Sequence, residues 1–105
     1  MIINNLTFKA VLTTIGRKTG KEHSVWAKAV TYNNMIYFSR RNPNSDWLKN
    51  AIANSKVKVE FDGKQFSGNA RLVNDENLSR KISQIKYTDK IRQEEPRIVL
   101  EVKIF

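Results

Sequence analysis

The dipeptide Asp62-Gly63 lies between two short runs with a period of two. Val57, Val59 and Phe61 alternate with Lys58 and Glu60 before it, and Phe66 follows three residues after it. Asp-Gly in this setting specifies a two-residue type I′ hairpin, which fixes register as well as direction. It sets Val59 opposite Phe66 on one face and Glu60 opposite Gln65 on the other. Asn33-Asn34 makes a second such turn, between Ser24–Tyr32 and Met35–Ser39, because Asn tolerates positive φ. Residues 7–14 predict a first strand. The strand returning from Gly63 runs to about Val73, with Gly68 as a position for a bulge. Ile98, Leu100, Val102 and Ile104 alternate within a terminal strand from Arg97 to Phe105.

Only two stretches have helical spacing. Trp47, Leu48, Ala51 and Ile52 form one core-facing set, with Ser45 as cap and Asn54 as a left-handed stop. Leu78, Ile82 and Ile85 form the other, capped by Asn74 or Asp75. Six strands with tight turns, one helix after the third and one before the last, predict a mainly β chain closed as a small antiparallel barrel. At 105 residues, 1–105 is one domain.

Composition narrows the function classes. There is no cysteine and one histidine, so neither a disulfide scaffold nor a Cys- or multi-His metal site is expected. No basic, then apolar, leader opens the chain, and no run reaches membrane-spanning length; the expectation is a soluble cytoplasmic protein with no membrane span. The net charge is +9. Residues 1–50 carry eight cations against two acids, residues 51–105 eleven against eight. Such a field favours an anionic partner: nucleic acid, a phosphorylated cofactor or an acidic surface.

The excess has a focus. Thr-Thr-Ile-Gly-Arg-Lys-Thr-Gly-Lys, residues 13–21, joins the first two strands. Its glycines let backbone N–H groups approach a ligand, and Arg17, Lys18 and Lys21 supply charge. The alternative is a basic hairpin loop with no ligand. A Walker A loop is excluded, since Gly16 and Gly20-Lys21 are one residue too close, Glu22 stands where Ser or Thr is required, and no helix follows.

These residues also resemble a known family. Leu12 to Lys21, then Tyr37-Phe-Ser-Arg-Arg41, then Asp46-Trp-Leu-Lys-Asn50 with Asn54 and Val57-Lys-Val59, are similar in order and spacing to the deazaflavin-dependent nitroreductases. That family lies within the flavin- and deazaflavin-binding split β-barrels, which include pyridoxamine phosphate oxidases. The resemblance covers residues 8–74 and implies a six-stranded antiparallel split β-barrel. It implies that Lys18, Thr19 and Gly20 hold the phosphate-bearing side chain of the cofactor, with Arg17 and Lys21 as electrostatic support. It further implies that Ser39, Arg40 and Arg41 lie against the cofactor, that Trp47 is the family tryptophan, and that Tyr87 is a substrate-side tyrosine. Glu22-His23 replaces the Pro-Arg often found in the family, which leaves His23 as a cofactor contact or a strand-end residue.

Other residues have plainer readings. Trp47 serves first as the core anchor of its helix, and Trp26 and Tyr37 as packing residues in strands. Arg80, Lys81 and Lys86 are expected as solvated charges on the second helix. Asp75 and Glu76 suit a helix start. The resulting expectation is an oxidoreductase that binds deazaflavin F420, or alternatively FMN, and passes hydride to a small electron-poor acceptor such as a quinone or nitro compound. A homodimer is expected with it. The rivals are a cofactor carrier or sensor and a basic small-barrel nucleic-acid binder; the aromatic residues at core-type positions rank the last lower.

Overall fold

The structure is a computed structural model that describes residues 4–40, 44–94 and 97–105. Among these residues, six strands and three helices follow in the order β1 (Thr7–Ile15), β2 (Glu22–Tyr32), β3 (Met35–Arg40), α1 (Asp46–Ala53), β4 (Lys56–Phe61), β5 (Lys64–Leu72), α2 (Glu76–Lys86), α3 (Lys90–Glu94) and β6 (Ile98–Ile104). The strands close into a barrel in the order β1-β2-β3-β6-β5-β4, with every pairing antiparallel. Closure removes the sheet edges that a small β protein would otherwise expose.

The hairpin registers are those set by the turns. Val59 pairs with Phe66 and Glu60 with Gln65. Asn33, Asn34 and Asp62 all take positive φ, as type I′ turns require. The ladder runs unbroken through Gly68, with no bulge. There, a Cβ would come within 2.7 Å of the Lys103 carbonyl oxygen, so close strand packing accounts for the glycine.

The inward residues Ala10, Leu12, Ala29, Ile36, Phe38, Val57, Val59, Ala70, Leu100 and Val102 form one buried core, which α1 plugs with Trp47, Leu48 and Ala51. The Trp47 ring stands edge-on to Phe38, centroids 6.2 Å apart. Ile52 is exposed, at the edge of the face that the barrel covers. Ser45 is the N-cap residue of α1, but its hydroxyl bonds Arg40 and no helix amide. Asn54 is extended and not left-handed, because its side chain accepts from the Lys56 N–H and turns the chain straight into β4.

The second helix covers the outer face of β2, β3 and β6 through Val30, Tyr37, Ile82 and Val99. Asp75 caps it, accepting from the N–H groups of Asn77 and Leu78. Trp26 points the same way as Val30 but lies beyond the reach of α2, so it is 75% exposed and does not serve as a packing residue. The short α3, Lys90–Glu94, is additional to the two expected helices; it has no buried residue and hence no apolar stripe in the sequence.

Beneath α2 the buried Glu101 carboxylate accepts from the Tyr37 hydroxyl at 2.8 Å and from Arg71 at 2.6 and 3.3 Å. Burial pushes the Glu101 carboxyl up, but the bonds from Arg71 and Tyr37 and the guanidinium charge outweigh it and hold the group below its ordinary 4.5. A lowered carboxylate contributes stability that is present above its ordinary value and is lost as pH falls through the lowered one. Glu101→Gln should therefore cost about 1.5–3 kcal/mol at neutral pH. Urea unfolding should show the gap from wild type closing as the pH is taken well below the ordinary carboxylate range. A gap unchanged in acid would contradict this role.

Candidate functional site

The β1–β2 ladder ends at Ile15 paired with Glu22, which leaves residues 16–21 to make the turn. The Gly16 N–H donates to the Lys21 carbonyl at 2.7 Å, and the Gly20 N–H to the Gly16 carbonyl at 2.8 Å. Gly20 has φ +71°, which a side chain would resist. A Cβ on Gly16 would meet the His23 ring and the Thr19 hydroxyl, each at 2.7 Å. These contacts pull the loop in tightly and leave Arg17, Lys18 and Thr19 at its tip.

Arg17 is turned back onto the protein. Its guanidinium donates to the Asn50 side-chain oxygen at 2.7 Å, its backbone N–H reaches the same oxygen at 3.2 Å, and its other η nitrogen lies 3.4 Å from Asp46. Asn50 is buried on α1. The loop is thereby fastened to the helix that plugs the barrel. Lys18 makes no ion pair or side-chain hydrogen bond among the described residues, and the N–H groups of Lys18 and Thr19 meet no acceptor there. The result is an uncompensated ammonium beside two open amides, a donor set suited to a phosphate oxygen.

This tip borders a cleft of about 460 Å³ lined by Gly16, Arg17, Lys18, Thr19, His23 and Trp47, with Ser24, Val25, Asp46 and Asn50. Arg17, Lys18, Thr19, His23 and Trp47, which the resemblance implies as cofactor contacts, all line this one cleft. Gly20 and Lys21 belong to the loop but not to the lining. A larger hollow of about 500 Å³, between Leu6, Phe8, Phe61, Phe66 and Phe105, is mostly apolar and has no comparable donor set. Thr14, paired with His23 across the ladder, keeps a buried hydroxyl with no partner among the described residues.

Ser39, Arg40 and Tyr87 form a second group. Ser39 is buried at the end of β3, and the Lys86 ammonium donates to its hydroxyl at 2.9 Å and its carbonyl at 3.3 Å. The Arg40 Nε donates to the Ser45 hydroxyl at 3.2 Å, which links this group to the start of α1 and so to the cleft. The Tyr87 ring lies beneath Lys86 at 5.3 Å, Arg92 at 5.8 Å and Arg97 at 4.6 Å. Arg41 falls outside the described residues.

Two groups escaped the sequence reading. Asn50 falls three residues after Trp47, on the buried face of α1, and a polar residue at core spacing is the signal that marks it. Lys86, expected as a solvated charge, lies four residues after the buried Ile82 and reaches inward to Ser39. Burial, then the charges of Arg97, Lys28 and Arg40, lower its ammonium to about 8.

Comparison with known proteins gives a family and a fold. Residues 3–96 match the model of the F420H(2)-dependent quinone reductase family. No curated protein matches the sequence. Among solved structures the chain is similar to General Stress Protein 26 of Bacillus anthracis, with TM-score 0.72 and 18% identity over 91% of this chain and 78% of that one. An F420-H2 dependent reductase aligns with TM-score 0.65 and 19% identity over 97% of both chains. A protein described as a domain-swapped dimer aligns with TM-score 0.72 and 21% identity over 97% of this chain and 83% of that one. At these identities the structural likeness speaks for the fold, and the family match carries the rest.

Arg17 and Lys18 should separate cleanly by experiment. Arg17→Ala strips partners from a buried carboxamide and should lower unfolding free energy by about 1–3 kcal/mol, which is several degrees in Tm. Lys18→Ala should change stability by less than about 0.5 kcal/mol. Equal thermal shifts in the two variants, read by calorimetry, would contradict the division between fastener and ligand.

Proposed function

The chain belongs to the F420H(2)-dependent quinone reductase family, and from that premise we propose that the cleft beside Gly16–Lys21 holds the phosphate-bearing side chain of its cofactor. The protein is an F420-dependent oxidoreductase. The observation that carries the site assignment is the donor set of Lys18 with its own amide and that of Thr19, left open while Arg17 is spent on Asn50. In this reading Lys18, Thr19 and Gly20 form the cradle and Trp47 supplies an apolar wall. His23 lines the approach, and Lys21 adds charge from behind the loop.

The bound deazaflavin supplies the hydride chemistry, so the protein's work is to bind, orient and keep water away. This agrees with a chain that has one histidine and a cleft whose lining acid, Asp46, lies against Arg17. Ser39 and Arg40, at the end of β3, lie one residue contact from α1 and extend the binding surface towards Tyr87, the acceptor side. The acceptor is a small electron-poor molecule, a quinone by the family description, with nitro compounds in the same chemical class. FMN, with one phosphate, is the alternative occupant.

A homodimer is part of the same proposal. A fold relative is described as a domain-swapped dimer, and Trp26 exposes its ring on the outer face, paired across the ladder with Val11. No helix among the described residues is long and apolar enough to cross a membrane.

Purified protein should bind F420 at near-physiological salt, because ring burial adds to charge in a pocket and is not screened. Binding of DNA or RNA should fall steeply over the same salt range, as counterion release demands. Lys18→Ala should weaken F420 binding about tenfold or more, the equivalent of one charge-assisted hydrogen bond. The reduced cofactor should be oxidised by a quinone in the presence of the wild-type protein. Unchanged F420 affinity in Lys18→Ala, measured by titration calorimetry, would overturn the cradle. Binding without turnover on any acceptor would mark a carrier or sensor.

A further inference from the structure

Thr14 is fully buried, and its hydroxyl meets no hydrogen-bond partner among the described residues. The preceding threonine gives the contrast. Thr13 faces the other side of the sheet, where its hydroxyl lies 2.7 Å from that of Ser24. A buried hydroxyl without a partner costs free energy that a methyl group of the same size would not. Alternation along β1 sets the Thr14 side chain on the inward face, between the core residue Leu12 and Gly16 of the cleft lining. Its partner across the ladder is His23, and Leu12 is paired with Val25; both partners line the cleft. The hydroxyl therefore lies at the floor of the cleft, about 7 Å inward of Gly16 at the rise of a strand. The His23 ring beside it is exposed and makes no hydrogen bond among the described residues, so it can turn and open the way.

We propose that Thr14 is a further ligand contact, whose hydroxyl takes an uncharged oxygen or N–H of the bound cofactor, deeper in the cleft than the anion at Lys18. This rests on the reading of the cleft as the cofactor site. The group it meets is uncharged, because its neighbours on the inward face, Leu12 and Val25, are apolar, while Arg17 and Lys18 stand at the loop tip. A hydroxyl both donates and accepts, so a carbonyl, a ring N–H or a second hydroxyl satisfies it. The cofactor is then read at two points, by charge at the tip and by an uncharged polar group at the floor. The spacing between the points selects ligands that carry both. In the free protein the hydroxyl stays unpaired, and binding relieves its cost. Thr14 thus favours the bound protein at the expense of the free one.

Stability and affinity should move in opposite directions. Thr14→Val removes the hydroxyl and keeps the shape, whereas Thr14→Ser keeps the hydroxyl. Without ligand, Thr14→Val should melt at the wild-type temperature or above it, by calorimetry. Its affinity for F420, by titration calorimetry, should fall about three- to tenfold, the worth of one neutral hydrogen bond. Thr14→Ser should bind F420 close to wild type. Unchanged affinity in Thr14→Val, while Lys18→Ala loses it, overturns the Thr14 contact and leaves the cleft in place. Full affinity in Lys18→Ala removes the cleft reading and the contact with it. An equal loss in Thr14→Val and Thr14→Ser overturns the contact, since shape and not the hydroxyl would then matter. A lowered melting temperature in ligand-free Thr14→Val also overturns it, because the hydroxyl would already be bonded, to a buried water.

Discussion

The bond between Arg17 and Asn50 ties the basic loop to the body of the protein. A carboxamide on the buried face of α1 receives both the guanidinium and the backbone N–H of Arg17. A buried amide without partners would be costly, so Arg17 is as much a requirement of α1 as α1 is of the loop. The helix is in turn fixed by Trp47, Leu48 and Ala51 in the mouth of the barrel. Barrel closure, helix position and loop shape are therefore one linked arrangement. Its consequence is that Arg17 is committed to Asn50, while Lys18 and two amides stay open as the donors proposed for the cofactor.

A second linked arrangement lies on the opposite side of α1. Arg40 reaches Ser45, and Ser39 beside it receives Lys86. The two groups of candidate residues thus meet at the first turn of α1, with Asp46 facing Arg17 and Ser45 facing Arg40. By contrast, the Glu101 carboxylate is taken up by its own partners, Tyr37 and Arg71. Its place beneath α2 gives it a role in holding the helix that carries Lys86.

The barrel was legible in the sequence because type I′ turns fix register locally. Asp62-Gly63 and Asn33-Asn34 each determine which side chains face inward before any long-range contact is known. The loop was legible because its composition is extreme. What depends on tertiary cover was not. Trp26 and Val30 share a face, and only the reach of α2 decides that one is exposed and the other buried. Lys86 follows Ile82 at helical spacing, but a long flexible amine can turn to water or inward, and Ser39 settles the choice from 47 residues away. Arg17 posed the same difficulty. Its charge suggested a ligand, while its partner proved to be Asn50, a residue that only the packing of α1 brings near.

Backbone amide shifts during titration with F420 test the central claim most directly, since they report on the loop residue by residue. The amides of Lys18 and Thr19 should move most, because they are the open donors. The Arg17 amide, already committed to Asn50, should move less, and the Asp62-Gly63 turn should stay where it is. Shifts concentrated around the apolar hollow of Phe8, Phe61 and Phe66, with Lys18 and Thr19 unmoved, would contradict the account.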